Sequence, residues 1–166
     1  MTPRPSILFV NQHYWPDVAA TGQVLSDLAE YLVGAGYEVE VLCSRGGYQG
    51  GKVDAPSREI RRGVRVTRVP SPGFGRRRHR GRFVDYGTFL AQVAARLAVG
   101  RQRDLVVLLT TPSMLPVSGW IAGRLRGRPY AIVRRRRGFA IVIVSISASL
   151  TPASRSRGRN VSNRYV

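Results

Sequence analysis

The chain has 166 residues, which is enough for one domain with a hydrophobic core and too short for two full-sized ones. Hydrophobic residues make up 43% of it, as in ordinary globular proteins, and no apolar run reaches the roughly 18 residues that a transmembrane helix needs. The net charge of +18 excludes an acidic protein. Only one of the 27 basic residues is a lysine. This preference for arginine reflects either a compositional bias or selection of arginine for phosphate binding.

The first quarter of the chain has the pattern of a strand, a helix and a second strand. Residues 6–10 are apolar and β-rich, which predicts a buried strand. Apolar side chains recur on one helical face over residues 22–33, with Thr21 placed to cap the start and glycines placed to stop the end. Residues 37–43 predict the second strand. This order predicts a βαβ unit, and therefore a parallel sheet with a right-handed crossover.

The middle of the chain continues this alternation of strands and helices. Residues 64–69 alternate apolar and polar side chains, which predicts a strand at the edge of the sheet. Residues 83–99 have helical spacing, and the continuous run 104–109 predicts a strand buried on both faces. A helix over 117–125 and a strand over 130–133 follow. The sequence therefore predicts an α/β fold with an open, mostly parallel Rossmann-like sheet and helices on both faces.

The character of the sequence changes after residue 133. Four consecutive arginines occupy positions 134–137, and no carboxylate follows Asp104, although 11 arginines do. The last part of the chain has too little apolar surface to offset its ordering entropy. We therefore predict a domain over residues 1–133 and a basic tail over residues 134–166 that is disordered or non-native.

Two tempting site patterns fail. Gly46, Gly51 and Lys52 have the spacing of a phosphate-binding P-loop. However, Val53 stands where the magnesium-binding hydroxyl belongs, and Pro56 interrupts the helix that must follow. Two histidines and one cysteine are too few for a zinc site. We expect no P-loop, no metal and no resident cofactor.

The informative segment is 11–23, between the first predicted strand and the first predicted helix. In open α/β sheets, ligands bind at the carboxyl ends of the strands. Thr21 and Gly22 place a hydroxyl and an unshielded backbone at the helix start, which favours an anion. The alternative is structural: Thr21 only caps the helix, and Gly22 only turns the chain.

Three short runs carry a family resemblance: Ile-Leu-Phe-Val-Asn-Gln at 7–12, Tyr-Trp-Pro-Asp at 14–17 and Ala-Thr-Gly-Gln at 20–23. In this order and spacing they resemble the opening of glycosyltransferase family 4 enzymes, above all those that build bacterial envelope polysaccharides. The similarity continues within 28–43, resumes at 63–66, 104–107 and 111–112, and fades after residue 132.

The resemblance implies one half of a GT-B fold, in which two Rossmann-like domains face each other across a cleft. The first domain binds the acceptor, often lipid-linked, and the second binds the sugar nucleotide that serves as donor. Transfer in the family retains the anomeric configuration and needs no metal. The resemblance implies a donor-phosphate-facing loop at Thr21, Gly22 and Gln23, and a cleft lined by Asn11, Gln12, Thr111 and Pro112.

The chain also departs from the family pattern. Relatives carry a second domain with a paired-glutamate motif, whereas no glutamate follows Glu59 here. We therefore expect a truncated or frame-shifted product. It would be the N-terminal domain of a sugar-nucleotide-dependent retaining glycosyltransferase of polysaccharide or glycoconjugate biosynthesis, inactive alone because catalysis needs both halves of the cleft.

Two other functions stay open. Arg76, Arg77, Arg78 and Arg80 form a basic surface that suits nucleic acid or an anionic membrane. Stacking aromatic residues do not alternate with these arginines, which argues against nucleic acid. Alternatively, the chain docks onto a separate donor-binding domain. We expect a cytoplasmic protein, peripheral at the inner membrane face, whose partners are a sugar acceptor and anionic lipid.

Overall fold

The structure, a computed structural model, describes residues 4–74, 79–101, 103–109, 130–135 and 141–143. Within these ranges the chain forms seven strands and two helices. In chain order they are β1 (Ser6–Val10), α1 (Ala20–Gly34), β2 (Glu38–Ser44), β3 (Arg58–Arg61), β4 (Val64–Val69), α2 (His79–Val99), β5 (Leu105–Leu109), β6 (Tyr130–Arg135) and β7 (Ile141–Ile143).

All of these strands join one sheet, in the order β3-β4-β2-β1-β5-β6-β7. The five inner strands are parallel, and β3 and β7 pair antiparallel at the two edges. The chain winds outward from β1 to β4 and then returns to β5 on the other side of β1. This confirms the predicted open, mostly parallel Rossmann-like sheet. Its winding direction reverses between β1 and β5, and ligands bind such sheets outside the carboxyl ends of the strands at this reversal.

The two helices cover opposite faces of the sheet. Leu25 and Ala29 of α1 pack in one buried cluster with Phe9, whereas Phe89 of α2 packs in a second cluster with Val10. Successive side chains of a strand point to opposite faces, so Phe9 and Val10 place the two cores on the two sides of β1. The prediction of helices on both faces is therefore confirmed for the described part of the chain.

Helix α1 begins earlier than the sequence predicts. Its N-cap is Ala19, no side chain caps it, and the Ala19 carbonyl accepts the N–H groups of Gly22 and Gln23 at 2.8 and 3.2 Å. Thr21 therefore lies inside the first turn, and its predicted capping role is wrong. The predicted glycine stop is present: Gly36, with φ of 94°, donates its N–H to a carbonyl of the last turn at 3.0 Å.

Strand β4 has the predicted bounds but not the predicted place. It lies between β2 and β3, so the expected edge position is wrong. The turn from β3 to β4 has positive φ at both Arg62 (45°) and Gly63 (82°), as a type I′ hairpin requires. The sequence of β3, Arg-Glu-Ile-Arg, is short and mostly charged, which is why no apolar alternation indicated it.

Two predictions concern the second half of the chain. The helix expected over 117–125 lies outside the described residues. The boundary expected after residue 133 falls inside β6, which continues to Arg135 and pairs with β7. Arg134 and Arg135 are therefore strand residues.

Candidate functional site

The backbone after β1 continues the sheet for two more residues. The Asn11 N–H donates to the Leu42 carbonyl at 3.2 Å, and the Gln12 carbonyl accepts the Ser44 N–H at 2.9 Å. These bonds fix residues 11 and 12 beside β2, at the carboxyl edge where the winding reverses. The sequence-predicted cleft residues Asn11 and Gln12 therefore lie where an open α/β sheet holds its ligands.

The side chains at this edge are polar, buried and incompletely bonded. Asn11, Gln12 and His13 are 0%, 4% and 6% exposed. The Asn11 amide donates through Nδ2 to the His13 carbonyl at 2.6 Å. Asn11 Oδ1 and Gln12 Oε1 accept no hydrogen bond from the described residues. A buried polar group without a partner costs about 1–3 kcal/mol, so each one calls for an explanation, such as a functional role or a bound water or ion.

His13 is held by a carboxylate four residues along the chain. Its Nδ1 lies 2.6 Å from Asp17 Oδ2, and both side chains are almost fully buried. The Tyr48 N–H donates to both Asp17 oxygens at 3.0 and 3.2 Å, and the Tyr48 ring packs edge-on against the imidazole. A carboxylate accepts hydrogen bonds, so Nδ1 is the donor in this pair.

The Trp15-Pro16 segment, whose peptide bond is cis, is fixed by β4 and β3. Arg68 of β4 donates through Nη2 to the Trp15 carbonyl at 2.8 Å and to Glu59 at 2.6 Å. The guanidinium of Arg61 lies 3.5 Å from the centroid of the Trp15 ring. These arginines are not among the residues that the sequence pattern indicates. The signal that could have found Arg68 is its place in the strand alternation, on the same face as the apolar Val64 and Val66. Its side chain is 1% exposed.

The predicted donor-phosphate-facing loop is in fact the first turn of α1. Gln23 is exposed, Thr21 is half-buried, and Gly22 is buried. A Cβ on Gly22 would lie 3.2 Å from backbone atoms of His13 and Tyr14, so Gly22 lets the helix start pack against the loop. The expectation of an unshielded backbone at Gly22 is therefore wrong. Its N–H is already bonded, and the donors that remain unbonded within the described part belong to Ala20 and Thr21.

Several predicted site residues lie outside the described residues or are described only by their backbone. Thr111 and Pro112 lie outside them, as do the arginines at positions 76, 77 and 78. Arg80 belongs to the first turn of α2. The side of the cleft that follows β5 is therefore not part of the described site.

The described residues offer little for metal or thiol chemistry. They contain no group of three or more histidine, cysteine, aspartate or glutamate side chains that could hold a metal ion. Burial raises the pKa of the Cys43 thiol to about 12, because the anionic thiolate is poorly solvated in the core. Since the thiolate is the reactive form, Cys43 is a core residue and not a nucleophile.

Comparison with known proteins now identifies the family. A family model described as a glycosyl transferase 4-like domain matches residues 20–165, most of the chain. The chain belongs to this family. A search among curated proteins finds no match. The matched range of the glycosyl transferase 4-like domain crosses residue 133, and the division into a domain and a tail stays a prediction.

Proposed function

We propose that the chain is the acceptor-binding domain of a sugar-nucleotide-dependent retaining glycosyltransferase of polysaccharide or glycoconjugate biosynthesis, working in the cytoplasm. The observation that carries the proposal is the set of buried, incompletely bonded polar groups at the carboxyl edge of β1, in a chain of the glycosyl transferase 4-like family. The described sheet is a single Rossmann-like unit, so we expect transfer only when a donor-binding unit completes the cleft.

The start of α1 supports a role toward the donor phosphates. The unbonded N–H groups of Ala20 and Thr21 and the Thr21 hydroxyl lie at the positive end of the helix dipole. Negative charge develops on the leaving nucleoside diphosphate during transfer, and such donors stabilise it. We propose that Thr21 contributes in this way, with Gly22 allowing the close packing that holds the turn in place.

A lipid-linked acceptor also calls for contact with the membrane surface. No helix within the described residues is long and apolar enough to cross a bilayer. Phe74, Phe83 and Val84 are 43%, 71% and 48% exposed, and they flank the arginines at 76–80 in sequence. Exposed aromatic residues beside clustered arginines suit the surface of anionic lipid. We propose that this segment holds the domain peripherally at the inner membrane face.

The test is release of nucleoside diphosphate from a panel of UDP- and GDP-sugars in the presence of a lipid-linked sugar. The purified chain is assayed alone and with candidate donor-binding proteins. We expect turnover only in the mixtures, and lower turnover with Thr21→Ala. Thr88→Ala is the matched control, because Thr88 is also half-buried but bonds only within α2.

The other outcomes are equally informative. Turnover by the chain alone would show that the site is complete without a further unit. No turnover in any mixture, together with strongly salt-dependent binding to a DNA oligonucleotide, would overturn the proposal in favour of a nucleic-acid-binding protein.

A further inference from the structure

The outward face of α1 is apolar along one side. Val24, Leu28 and Tyr31 recur at the spacing i, i+4, i+7, and they are 60%, 41% and 72% exposed. Leu25 and Ala29, which point toward the sheet, already supply the buried side of the helix. A surface helix ordinarily turns polar residues outward. Val24, Leu28 and Tyr31 instead form an apolar strip, here called the α1 stripe, that the described part of the chain leaves uncovered.

The charges beside the α1 stripe are balanced, unlike those of the chain as a whole. The chain has a net charge of +18, yet α1 contains no basic residue and two acidic ones, Asp27 and Glu30. Glu30 accepts from Arg62 at 3.0 Å and lies 3.9 Å from Arg61, at the turn from β3 to β4. Asp27 lies one turn earlier on the same side of α1. It is exposed and makes no hydrogen bond or ion pair with the described residues.

We propose that the α1 stripe is the interface for a second copy of this chain, which packs its own α1 antiparallel about a two-fold axis near Leu28. In this arrangement Leu28 meets Leu28 of the second copy, and Val24 meets its Tyr31. The same surface serves both copies, as in any two-fold dimer. The proposal goes beyond the proposed function and does not depend on it.

The charges select a second copy as the occupant. Reversing the direction of α1 sets the Glu30–Arg62 pair of one copy opposite Asp27 of the other. The Arg62 side chain is 70% exposed, so its guanidinium is free to reach that carboxylate as well. This side of α1 is therefore complementary to itself. The β3 edge is not, because an antiparallel copy there would set Arg58 opposite Arg61.

The size of the contact predicts a weak dimer. With its 15 residues, α1 is about 22 Å long. A single pair of helices of this length buries less than the roughly 800 Å² per partner of a standard interface. We therefore expect a dissociation constant in the micromolar range. The measurement belongs at physiological ionic strength, where salt screens the repulsion between two chains of charge +18.

The first test is sedimentation velocity of the full chain across the micromolar range. We expect a concentration-dependent equilibrium between monomer and dimer. Leu28→Arg and Tyr31→Arg should each raise the dissociation constant at least about tenfold. Val99→Arg is the matched control: it adds the same charge at a valine that is 82% exposed at the end of α2, on the other face of the sheet. Urea unfolding verifies that each variant is folded.

A charge variant tests the acidic side of the interface. Asp27→Asn removes two symmetry-related ion pairs between the copies, so it should raise the dissociation constant about threefold to tenfold. Asp54→Asn is its control, because Asp54 is equally exposed but lies in the loop between β2 and β3. It should leave the dissociation constant unchanged.

Cross-linking tests the antiparallel register. The axis near residue 28 brings the two copies of that residue together, so Leu28→Cys should form a disulfide between chains on oxidation with copper phenanthroline. Ala20 is exposed at the start of α1, and its two copies would lie about 24 Å apart along the helices. Ala20→Cys should therefore not cross-link. The natural thiol of Cys43 is buried and stays out of the reaction.

Three results would overturn the proposal: the chain stays monomeric across the whole range, Leu28→Arg and Tyr31→Arg dimerise as tightly as the parent, or Ala20→Cys cross-links as efficiently as Leu28→Cys. A dimer that persists in both stripe variants would place the interface on another surface. None of these results bears on turnover in the mixtures, so failure of the dimer and failure of the proposed function are distinguishable.

Discussion

The two ends of the central strands treat their polar side chains in opposite ways. At the amino end, the Ser6 N–H and hydroxyl both donate to Asp104 Oδ2 at 2.7 Å. Nearby, Glu38 accepts from Arg65 at 2.8 Å. Each of these carboxylates has a donor, and the contacts join β1 to β5 and β2 to β4. The amino end therefore contributes to stability.

At the carboxyl end of the same strands, polar side chains lower the stability of the fold. Asn11 Oδ1 and Gln12 Oε1 are buried without donors in the described part of the chain, while Arg68 and Asp17 hold the backbone around them. A binding site needs a rigid frame around open acceptors, because the frame keeps them from moving toward donors of the protein itself. For side-chain oxygens, the two ends therefore differ: those named at the amino end have donors, whereas the open atom there is a donor, Arg103 Nη1.

The largest effect should come from breaking that frame. Arg68→Ala leaves Glu59 and the Trp15 and Pro56 carbonyls without their buried donor. We expect a loss of about 3–5 kcal/mol in the free energy of unfolding, measured by urea denaturation. Arg65→Ala on the same strand is the control. Its side chain is 47% exposed, so its loss should stay within about 1 kcal/mol. Equal losses would contradict the distinction.

The next largest effect concerns the start of α1. Gly22→Ala would bring a methyl group to 3.2 Å from the His13 and Tyr14 backbone, and backbone cannot turn aside as a flexible side chain can. We expect a loss of about 1–3 kcal/mol. Gly34→Ala, at the other end of α1, meets nothing within 4 Å. It should gain about 0.5–1 kcal/mol from helix propensity. If Gly22→Ala leaves the free energy of unfolding unchanged, the start of α1 does not pack tightly against the loop.

The sequence predicts most of the strands but not the contacts of Arg68 and Asp17 around the carboxyl edge, and the reason is physical. β1 and β4 have the predicted bounds because runs of buried apolar residues are a local signal. β3 owes its strand conformation to pairing with β4, which no local pattern indicates. Likewise, the contact from Asp17 to Tyr48 spans 31 residues, and the contact from Arg68 to Trp15 spans 53.

The candidate site was only half predictable. Asn11 and Gln12 follow the first predicted strand, so their place at the carboxyl edge could be inferred from topology alone. For His13 the sequence raises only the question of a metal site, because a lone histidine carries no other signal without its partner. That partner, Asp17, lies four residues away in a loop, where spacing does not indicate which side chains meet.

A substitution that removes one of the open acceptors tests the difference between the two ends directly. Gln12→Met keeps the approximate volume and removes a buried amide that makes no bond to the described residues. We expect the variant to be about 1 kcal/mol more stable in urea. At the amino end, Glu40→Met should instead lower the free energy of unfolding, because it removes the carboxylate that pairs with Arg103. Destabilisation by Gln12→Met would mean that its amide already has a structural role.

The smallest effect is a pH dependence at the amino end. The Ser6 N–H and hydroxyl donate to Asp104 and hold the pKa of its carboxyl below the ordinary value of 3.8. A depressed pKa stabilises the fold above 3.8, and this contribution is lost as the pH falls through the folded-state value. Ser6→Ala removes one of the two donors, so it should be less stable than the parent near neutral pH. The gap should narrow on acidification, and the part that remains is the bond that Ser6 Oγ accepts from the Asp104 N–H at 3.2 Å. Ser26→Ala is the matched control. Its hydroxyl donates to the Gly22 carbonyl, which does not titrate, so its deficit should persist in acid. Parallel urea series in acid and at neutral pH distinguish the two behaviours, and a Ser6→Ala gap that stays constant would show that the hydroxyl acts through packing and not through the carboxylate.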